Sequence, residues 1–271
     1  MLIEGANVLI TGGSRGIGAA LAKEFAGAGA KVAVAARSKA ALDELASEIG
    51  GMAFEADLMD DDTMTSLIPT VEAEFGPIDI LVNNAGIETT AGLTEESVEG
   101  LRAVCRVNFE APVLLTRAVI PGMHARGRGH LVFTSSLAGT AGFPGLATYA
   151  GTKAGLTNFV ASMRLELNDT NIGTTIIAPG PVDTRMWDAL EEDGYMDDLL
   201  KRFNRFQLIP KISPEKLAAR TVKAVAADKR HVRHPRRLAS NFWLNEAPRR
   251  ISESLASGIK FRQPVAPDQL T

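Results

Sequence analysis

The sequence has little cysteine, since Cys105 is the only one among 271 residues. No disulfide can form within the chain, and this usage is typical of a reducing compartment. We expect Cys105 to be a small buried apolar group. The chain also lacks an apolar run approaching the ~20 residues that cross a bilayer, and its first residues lack the basic and apolar regions of a signal peptide. These absences predict a soluble, cytoplasmic protein.

The chain also has no large excess of charge of either sign. Lys and Arg number 29 and Asp and Glu number 32, with a pI near 5.9, so nothing indicates a nucleic-acid partner. The four histidines are scattered without metal-ligand spacing: His124, His130, His231 and His234. The acidic run at residues 60–62 is typical of an exposed helix start, where acids complement the helix dipole. We therefore predict no metal site.

Short apolar segments alternate with amphipathic segments along most of the chain. The strand-like segments are residues 8–11, 31–36, 52–56, 78–83, 130–135 and 174–178. The helix-like segments are residues 17–28, 39–49, 61–75, 95–125 and 149–168. Apolar strands separated by helices are typical of a parallel sheet with right-handed crossovers and helices on both faces. We predict an α/β fold: a single doubly wound, Rossmann-type domain over residues 1–271, with about seven strands.

The pattern changes after residue 181. Residues 183–212 carry bulky apolar side chains between clustered charges, and we expect a substrate lid there. Ser213 as N-cap and Pro214 at the first helical position predict a helix that runs to about Ala227. Residues 230–271 form a carboxyl-terminal extension, in which we expect an edge strand at 230–238 and a helix at 241–259.

A glycine-rich turn follows the first strand and opens the first helix. It reads T-G-x-x-x-G-x-G and includes Gly12, Ser14, Arg15, Gly16, Ile17 and Gly18. Such a turn lets backbone N–H groups approach a phosphate at the positive end of a helix. We favour a dinucleotide site here over a glycine-rich turn that binds nothing.

The end of the second strand indicates which dinucleotide binds. An acid there binds the ribose 2′-hydroxyl of NAD, whereas arginine suits a 2′-phosphate. Arg37 follows Ala36 with no acid beside it, and Arg15 can face the same phosphate. Arginines at helix starts are in other cases simply solvated. We predict that NADP(H) is preferred over NAD(H).

Tyr149 and Lys153 stand four residues apart in a helix-like segment, and Ser136 lies thirteen residues before the tyrosine. Residues four apart share one helix face, and an ammonium held there lowers the pKa of a phenol. Such a tyrosine can exchange a proton with a substrate oxygen near neutral pH. A Tyr-x-x-x-Lys pair alone also arises by chance in amphipathic helices. The serine and the glycine turn make chance the weaker explanation.

Taken together, these motifs resemble the short-chain dehydrogenase/reductase superfamily in its single-domain form, over about residues 5–225. The resemblance rests also on Asn83-Asn84-Ala85-Gly86 after the fourth strand and on Pro179-Gly180 with Thr184 after the sixth. It implies that the cofactor is bound by the glycine turn and by a further set of residues: Arg37, Asp57, Leu58, Asn84, Ala85, Gly86, Tyr149, Lys153, Pro179, Gly180, Val182 and Thr184.

The resemblance also implies a catalytic set: Asn108, Ser136, Tyr149 and Lys153. Hydride moves between the nicotinamide C4 and a carbonyl or secondary alcohol carbon, while Tyr149 acts as general acid or base. Ser136 bonds the reacting oxygen, and the spacing to the tyrosine favours it over Ser135. Lys153 bonds the nicotinamide ribose, and the backbone of Asn108 holds a water that links Lys153 to solvent.

The substrate should be enclosed by the loop after Ser136, by Ile87 and by the segment after Pro181. The candidates, with Ser136 and Tyr149, are Leu137, Ala138, Phe143, Leu146, Val182, Met186 and Trp187. Their apolar character predicts a lipophilic or aromatic ketone or alcohol. The alternative is that the aromatic residues after Thr184 only pack the lid onto the body of the protein.

The carboxyl-terminal extension is basic and carries a cluster of apolar residues near its predicted helix. The basic residues are Arg233, His234, Arg236, Arg237, Arg249 and Arg250, and the apolar ones are Phe242, Trp243, Leu244, Ile251 and Leu255. We favour a solvated basic surface with a packed helix over the alternatives, an anionic substrate tail or peripheral contact with membrane headgroups.

Three functions are compatible with the fold. We favour an NADP(H)-dependent carbonyl reductase or alcohol dehydrogenase. One alternative is an epimerase or dehydratase with tightly bound NAD, which the lack of an acid beside Arg37 opposes. The other is a nucleotide-sensing scaffold without turnover, which the complete catalytic set opposes. The resemblance further implies a homodimer or homotetramer formed through helices 95–125 and 149–168.

Overall fold

A computed structural model describes residues 1–192 and 210–235, together with residue 247. Seven parallel strands form one sheet in the order β3-β2-β1-β4-β5-β6-β7. The strands are β1 (Asn7–Thr11), β2 (Lys31–Ala36), β3 (Met52–Glu55), β4 (Ile80–Asn83), β5 (Gly129–Thr134), β6 (Ile172–Ala178) and β7 (His231–Arg233). The predicted α/β, Rossmann-type class with a parallel sheet of about seven strands is confirmed.

Helices cover both faces of this sheet. They are α1 (Gly16–Gly27), α2 (Lys39–Ile49), α3 (Asp61–Glu74), α4 (Val98–Cys105), α5 (Ala111–Ala125), α6 (Ala147–Glu166), α7 (Arg185–Glu192) and α8 (Pro214–Ala226). One apolar core joins the sheet to α1, α2 and α8, and a second joins its other face to α3, α5 and α6. Successive strand residues point to opposite faces, so Val8 and Ile10 enter the first core and Leu9 enters the second.

The helix starts follow the capping residues in the sequence. Ser213 accepts a hydrogen bond from Lys216 N at 3.3 Å, with Pro214 next to it, so α8 begins where it was predicted to begin. Asp60 accepts one from Thr63 N at 2.7 Å, and two acids occupy the first turn of α3. Most predicted segment boundaries agree with the structure within one or two residues.

The predicted helix over residues 95–125 is wrong as a single regular element. Ser97 caps α4, and the π-helical segment Arg106–Glu110 then joins it to α5. Pro112 has no N–H, so it cannot donate to the carbonyl of Asn108 four residues earlier. The wider π turn accommodates this missing donor within a continuous helical path.

Two further expectations need correction. Cys105 is exposed at the last turn of α4 rather than buried, because the buried face of that helix carries Val104 instead. The edge strand predicted at 230–238 covers only His231–Arg233 in the described residues.

Several predicted features lie outside the described residues. These are most of the lid, from 193 to 209, the helix predicted at 241–259, and the basic and apolar residues of the extension from Arg236 onward. In the part of the chain that is described, no helix is both long and apolar enough to span a bilayer.

Candidate active site

The glycine-rich turn packs tightly against the loop that follows β4. Gly12 has φ +66°, and a Cβ there would lie 2.8 Å from Ala85 Cα. A Cβ on Gly18 would lie 2.2 Å from the carbonyl oxygen of Gly12. Neither contact is possible for a larger residue without movement of the backbone. These glycines therefore bring the start of α1 directly to the carboxyl edge of the sheet.

Asn84 holds the glycine turn in place. Its Nδ2 donates to the carbonyl oxygens of Thr11 at 3.1 Å and Gly12 at 3.3 Å, and its Oδ1 accepts from Thr134 Oγ1 at 3.3 Å. Thr11 Oγ1 in turn accepts from the backbone N–H groups of Asn84 and Ala85. The Asn-Asn-Ala-Gly segment thus links the ends of β1, β4 and β5.

The residues around this turn fit a phosphorylated dinucleotide. The turn leaves the amino terminus of α1 at the edge, and Arg15 and Arg37 are both exposed beside it. No acid occupies the end of β2, where Ala36 is followed by Arg37 and Ser38. The end of β2 therefore lacks the acid that would bind a ribose 2′-hydroxyl, and it carries a guanidinium there instead.

The remaining predicted cofactor residues surround the same edge of the sheet. Leu58 is buried, whereas Asp57 is exposed and accepts a hydrogen bond from Met59 N at 3.0 Å. Pro179 O accepts from Leu137 N at 2.8 Å, and a Cβ on Gly16 would lie 3.4 Å from Thr184 Cγ2. The loop after β6 therefore adjoins the glycine turn.

Ser136, Tyr149 and Lys153 lie together at the carboxyl end of β5. Lys153 is buried, and its Nζ donates to Thr134 O at 2.9 Å and lies 5.6 Å from the centroid of the Tyr149 ring. A hydrogen bond from Ser136 favours the ionised form of Tyr149. The short 3₁₀ turn Leu137–Gly139 begins at Ser136, whose Oγ accepts from Ala138 N at 3.1 Å.

The neighbouring Ser135 faces the other way. Its Oγ donates to Lys153 O at 3.0 Å and lies 2.8 Å from Thr157 Oγ1. Both contacts are with α6, so this hydroxyl supports the helix that carries Tyr149 and Lys153. Only Ser136 of the two serines has its hydroxyl near the phenol.

The pKa of Tyr149 does not follow the sequence-based expectation that the lysine lowers it. Burial of the hydroxyl raises the pKa of Tyr149 to about 12, while the Ser136 hydrogen bond acts in the opposite direction and the charge of Glu88 adds to the rise. Burial lowers the pKa of Lys153 to about 8, and Glu88 opposes this change. Removal of the two groups from water thus outweighs any attraction between phenolate and ammonium.

Asn108 lies in the π-helical segment and is fully buried. Its Oδ1 accepts from Ile87 N at 2.9 Å and its Nδ2 donates to Ile87 O at 2.8 Å. A Cβ on Gly86 would lie 3.3 Å from Asn108 Oδ1 and 3.4 Å from Lys153 Nζ. The side chain of Asn108 therefore positions the segment after β4 against the buried lysine.

Two acidic residues of the site were missed from the sequence. Glu88 is half-buried, and burial raises its pKa to about 7, with Lys153 opposing the rise. Glu96 accepts hydrogen bonds from Thr89 Oγ1 and, at 2.7 Å, from Thr148 Oγ1, the residue before Tyr149. The only available signal was that Glu88 follows Ile87, which was expected at the substrate site.

The predicted substrate residues differ in their surroundings. Leu137, Ala138, Leu146 and Val182 are buried, whereas Met186 is 38% exposed. Phe143 is half-buried, and Lys211 Nζ lies 5.9 Å from the centroid of the Trp187 ring. Lys211 belongs to the same predicted lid segment, so this contact links the two ends of residues 183–212.

Comparisons with known proteins identify the family of this chain. A family model described as short chain dehydrogenase matches residues 6–194. A short chain dehydrogenase of Pseudocercospora fijiensis is 36% identical over 217 residues, which cover 78% of this chain and 68% of that protein. The 3-oxoacyl-(acyl-carrier-protein) reductase FabG of Escherichia coli is 35% identical over 195 residues, covering 71% of this chain and 80% of that protein.

Two solved structures share the fold. A short chain dehydrogenase/reductase family protein superposes with a TM-score of 0.73 at 29% identity, covering 86% of this chain and 97% of that one. A serine dehydrogenase in complex with NADP+ superposes with a TM-score of 0.71 at 29% identity, covering 83% and 94%. From its sheet, its glycine turn and these relatives, the chain belongs to the short-chain dehydrogenase/reductase family of NAD(P)-dependent oxidoreductases.

Proposed function

We propose that this protein is an NADP(H)-dependent oxidoreductase that interconverts a carbonyl compound and a secondary alcohol, with Tyr149 as the general acid or base. The observation that carries the proposal is the convergence of Ser136, Tyr149 and Lys153 beside the glycine turn. In a doubly wound sheet, ligands bind beyond the carboxyl ends of the strands, where all of these groups lie.

A nicotinamide, when bound, would supply or accept the hydride, and the protein side chains transfer the proton. In reduction, Tyr149 donates its proton to the oxygen of the substrate carbonyl as negative charge develops there. Ser136 donates a hydrogen bond to the same oxygen and stabilises that charge. A pKa of about 12 keeps Tyr149 protonated at neutral pH, which is the form that a proton donor needs.

Lys153 returns the proton to the tyrosine. Its pKa of about 8 leaves it charged near neutral pH, yet close to the point at which it can release a proton. Lys153 Nζ donates to Thr134 O at 2.9 Å, which fixes the side chain in the core. An ammonium has three N–H donors, so two would remain for the nicotinamide ribose and the proton path. Asn108 supports this path by holding the segment that passes Lys153.

The preference for NADP(H) rests on Arg15 and Arg37. Both are exposed at the edge where the adenosine ribose would lie, and the end of β2 carries no acid that would bind its 2′-hydroxyl. A guanidinium pairs with a phosphate through two parallel hydrogen bonds, which a ribose hydroxyl does not reproduce. The complex of a related serine dehydrogenase with NADP+ is consistent with this choice. A higher kcat/KM with NADH than with NADPH would contradict it.

The substrate class of the proposal is a lipophilic or aromatic carbonyl compound. Support comes from three buried apolar residues close in the chain to Ser136 and Tyr149, which are Leu137, Ala138 and Leu146. A panel of ketones and alcohols, followed by NADPH absorbance, would measure the range of substrates. Binding of NADPH by the wild-type protein without turnover of any of them would favour a nucleotide sensor instead.

The decisive experiment compares three variants. Tyr149→Phe should lower kcat by about a hundredfold or more, because it removes general acid catalysis, while NADPH fluorescence shows retained cofactor binding. Ser136→Ala should lower kcat as well, whereas Ser135→Ala, its matched control, should lower thermal stability more than kcat. Near-normal turnover in Tyr149→Phe would reject the assignment.

A further inference from the structure

Glu88 lies on a segment that is hydrogen-bonded on both sides. The residue before it, Ile87, makes two hydrogen bonds with the Asn108 amide, at 2.8 and 2.9 Å. The residue after it, Thr89, donates to Glu96, which also accepts from Thr148 beside the proton donor. These contacts restrict where the carboxyl of Glu88 can go.

The segment also runs directly past the catalytic groups. Gly86 is two residues before Glu88, and a Cβ there would lie 3.4 Å from Lys153 Nζ. The charge of Glu88 raises the pKa of both Lys153 and Tyr149, so its carboxyl lies close enough to influence both groups. No other described acid acts on either of them.

The carboxyl of Glu88 nevertheless has no partner of its own. It accepts no hydrogen bond from any residue in the described part of the chain, although it is half-buried. It forms no ion pair with Lys153, whose ammonium bonds to Thr134 O. A carboxylate held out of water without a donor is unfavourable, and burial accordingly raises its pKa to about 7. A cationic ligand would remove that cost.

We propose that Glu88 selects substrates that carry an ammonium group a few atoms from the reacting carbon, and disfavours substrates that carry a carboxylate there. This inference rests on the proposed function and deepens it, because the carboxyl lies beside the proton donor. A charge-assisted hydrogen bond discriminates strongly between a cation and an isosteric methyl group. The apolar residues Leu137 and Leu146 would contact the hydrocarbon part of the same substrate.

The test measures binding of three ligands of nearly equal size to the full chain saturated with NADP+. They are 4-amino-2-butanol, 2-pentanol and 3-hydroxybutyrate. Binding is measured by ligand-observed NMR titration at about pH 8, where Glu88 is ionised. The wild-type protein should bind the amine ~10-fold more tightly than 2-pentanol, and the carboxylate more weakly than both. Glu88→Gln should abolish the preference for the amine and improve binding of the carboxylate.

Two further variants control for charge and for folding. Glu99→Gln removes an exposed carboxylate from the first turn of α4 and should behave as the wild type. Glu88→Asp keeps the charge and should retain part of the preference for the amine. Equal loss of the preference in Glu88→Asp and Glu88→Gln would contradict a role of charge.

The outcomes separate this inference from the proposed function. If the ratio of amine to 2-pentanol affinity is the same in the wild type and in Glu88→Gln, or if the wild type binds no amine, the inference is wrong. Oxidation of 2-pentanol would leave the proposed function standing in that case. Conversely, Glu88-dependent binding of the amine, without turnover of these three alcohols or of any member of the ketone and alcohol panel, would reject the proposed function alone.

Discussion

Buried polar groups lie at both ends of the parallel sheet, but they are partnered differently. Toward the amino ends of the strands, Asp79 accepts hydrogen bonds from Asn7 N at 3.1 Å and from Arg128 Nε at 3.1 Å. At the carboxyl ends, Glu88 has no hydrogen-bond donor in the described structure, and Lys153 uses one donor on Thr134 O. At the amino end, the Asp79 carboxylate is paired within the protein, whereas at the carboxyl end Glu88 and Lys153 retain hydrogen-bonding capacity for a ligand.

His130 is a second buried polar group near the amino ends of the strands, and its Nε2 has a partner within the core. Thr175 Oγ1 donates to Lys229 O at 2.8 Å, so it accepts from His130 Nε2, which lies 2.8 Å away. This assigns the proton of the neutral imidazole to Nε2 and leaves Nδ1 without one, 3.7 Å from Asp228. Burial lowers the pKa of His130 to about 4, despite the opposing charge of Asp228.

The difference between the two ends has a physical cause. Polar groups that serve only the fold gain most when every donor and acceptor is paired within the protein. Groups that act on a ligand must keep unpaired capacity, and this shifts their pKa values when they are withdrawn from water. Substitutions at the carboxyl end should therefore lower activity more than stability, whereas substitutions at the amino end should lower stability more than activity.

The largest effect should come from Lys153→Met, which removes the buried charge at the carboxyl end. We expect kcat to fall by about a thousandfold, because the proton path loses its amine. The melting temperature should stay equal or rise, since an apolar side chain of similar size replaces a desolvated ammonium. Steady-state kinetics would measure kcat, and thermal unfolding would measure the melting temperature. A large drop in melting temperature would contradict the proposed difference between the two ends.

The next largest effect is the pH dependence of the free energy of unfolding that His130 causes at the amino end. The folded-state pKa of His130 is about 4 against an ordinary 6.5, so the unfolded chain takes up a proton first as pH falls. The free energy of unfolding should therefore decrease by about 3 kcal/mol from pH 6.5 to pH 4, with no contribution from this group above pH 6.5. Urea unfolding over this range would measure it.

His130→Gln is the control for that slope. It keeps a side-chain N–H for Thr175 Oγ1 but cannot titrate, so the acid-dependent loss of stability should shrink by the same amount. An unchanged slope in this variant would assign the pH dependence to other groups.

The smallest effect should come from Asp79→Asn. It weakens the charge-assisted hydrogen bonds to Arg128 and to the backbone of Asn7, so unfolding should require about 1–3 kcal/mol less free energy. Asp43→Asn, which breaks an exposed pair with Lys39, should cost less than about 0.5 kcal/mol. Turnover should be unchanged in both variants. A loss of kcat in Asp79→Asn would show that the amino end also affects activity and would contradict this prediction.

Local features of the sequence predicted much of the fold. Apolar strand segments, the Ser213 cap and the glycine turn are short-range signals, because each acts through hydrogen bonds or side-chain periodicity within a few residues. The π-helical segment was missed, although Pro112 removes the donor for Asn108 and in retrospect indicates it. Cys105 was misassigned because composition does not specify which side of a helix faces the core.

Glu88 was missed for a different reason. It lies in a loop without periodicity, and its neighbours are held by hydrogen bonds to Asn108 and Glu96. Those partners are distant in the chain, so no local pattern contains the contact. The choice of Ser136 over Ser135, in contrast, followed from spacing, and the hydroxyl directions agree with that choice.

The sequence by itself therefore determined how strands and helices alternate along the chain and where the glycine turn lies. It also determined that a tyrosine and a lysine share one helix face. These properties depend on neighbours in the chain. Only the tertiary structure decided the protonation behaviour of that pair and the presence of a third charge. Burial and long-range charges set the pKa values of Tyr149, Lys153 and Glu88, and both arise only when the carboxyl ends of β1, β4 and β5 meet.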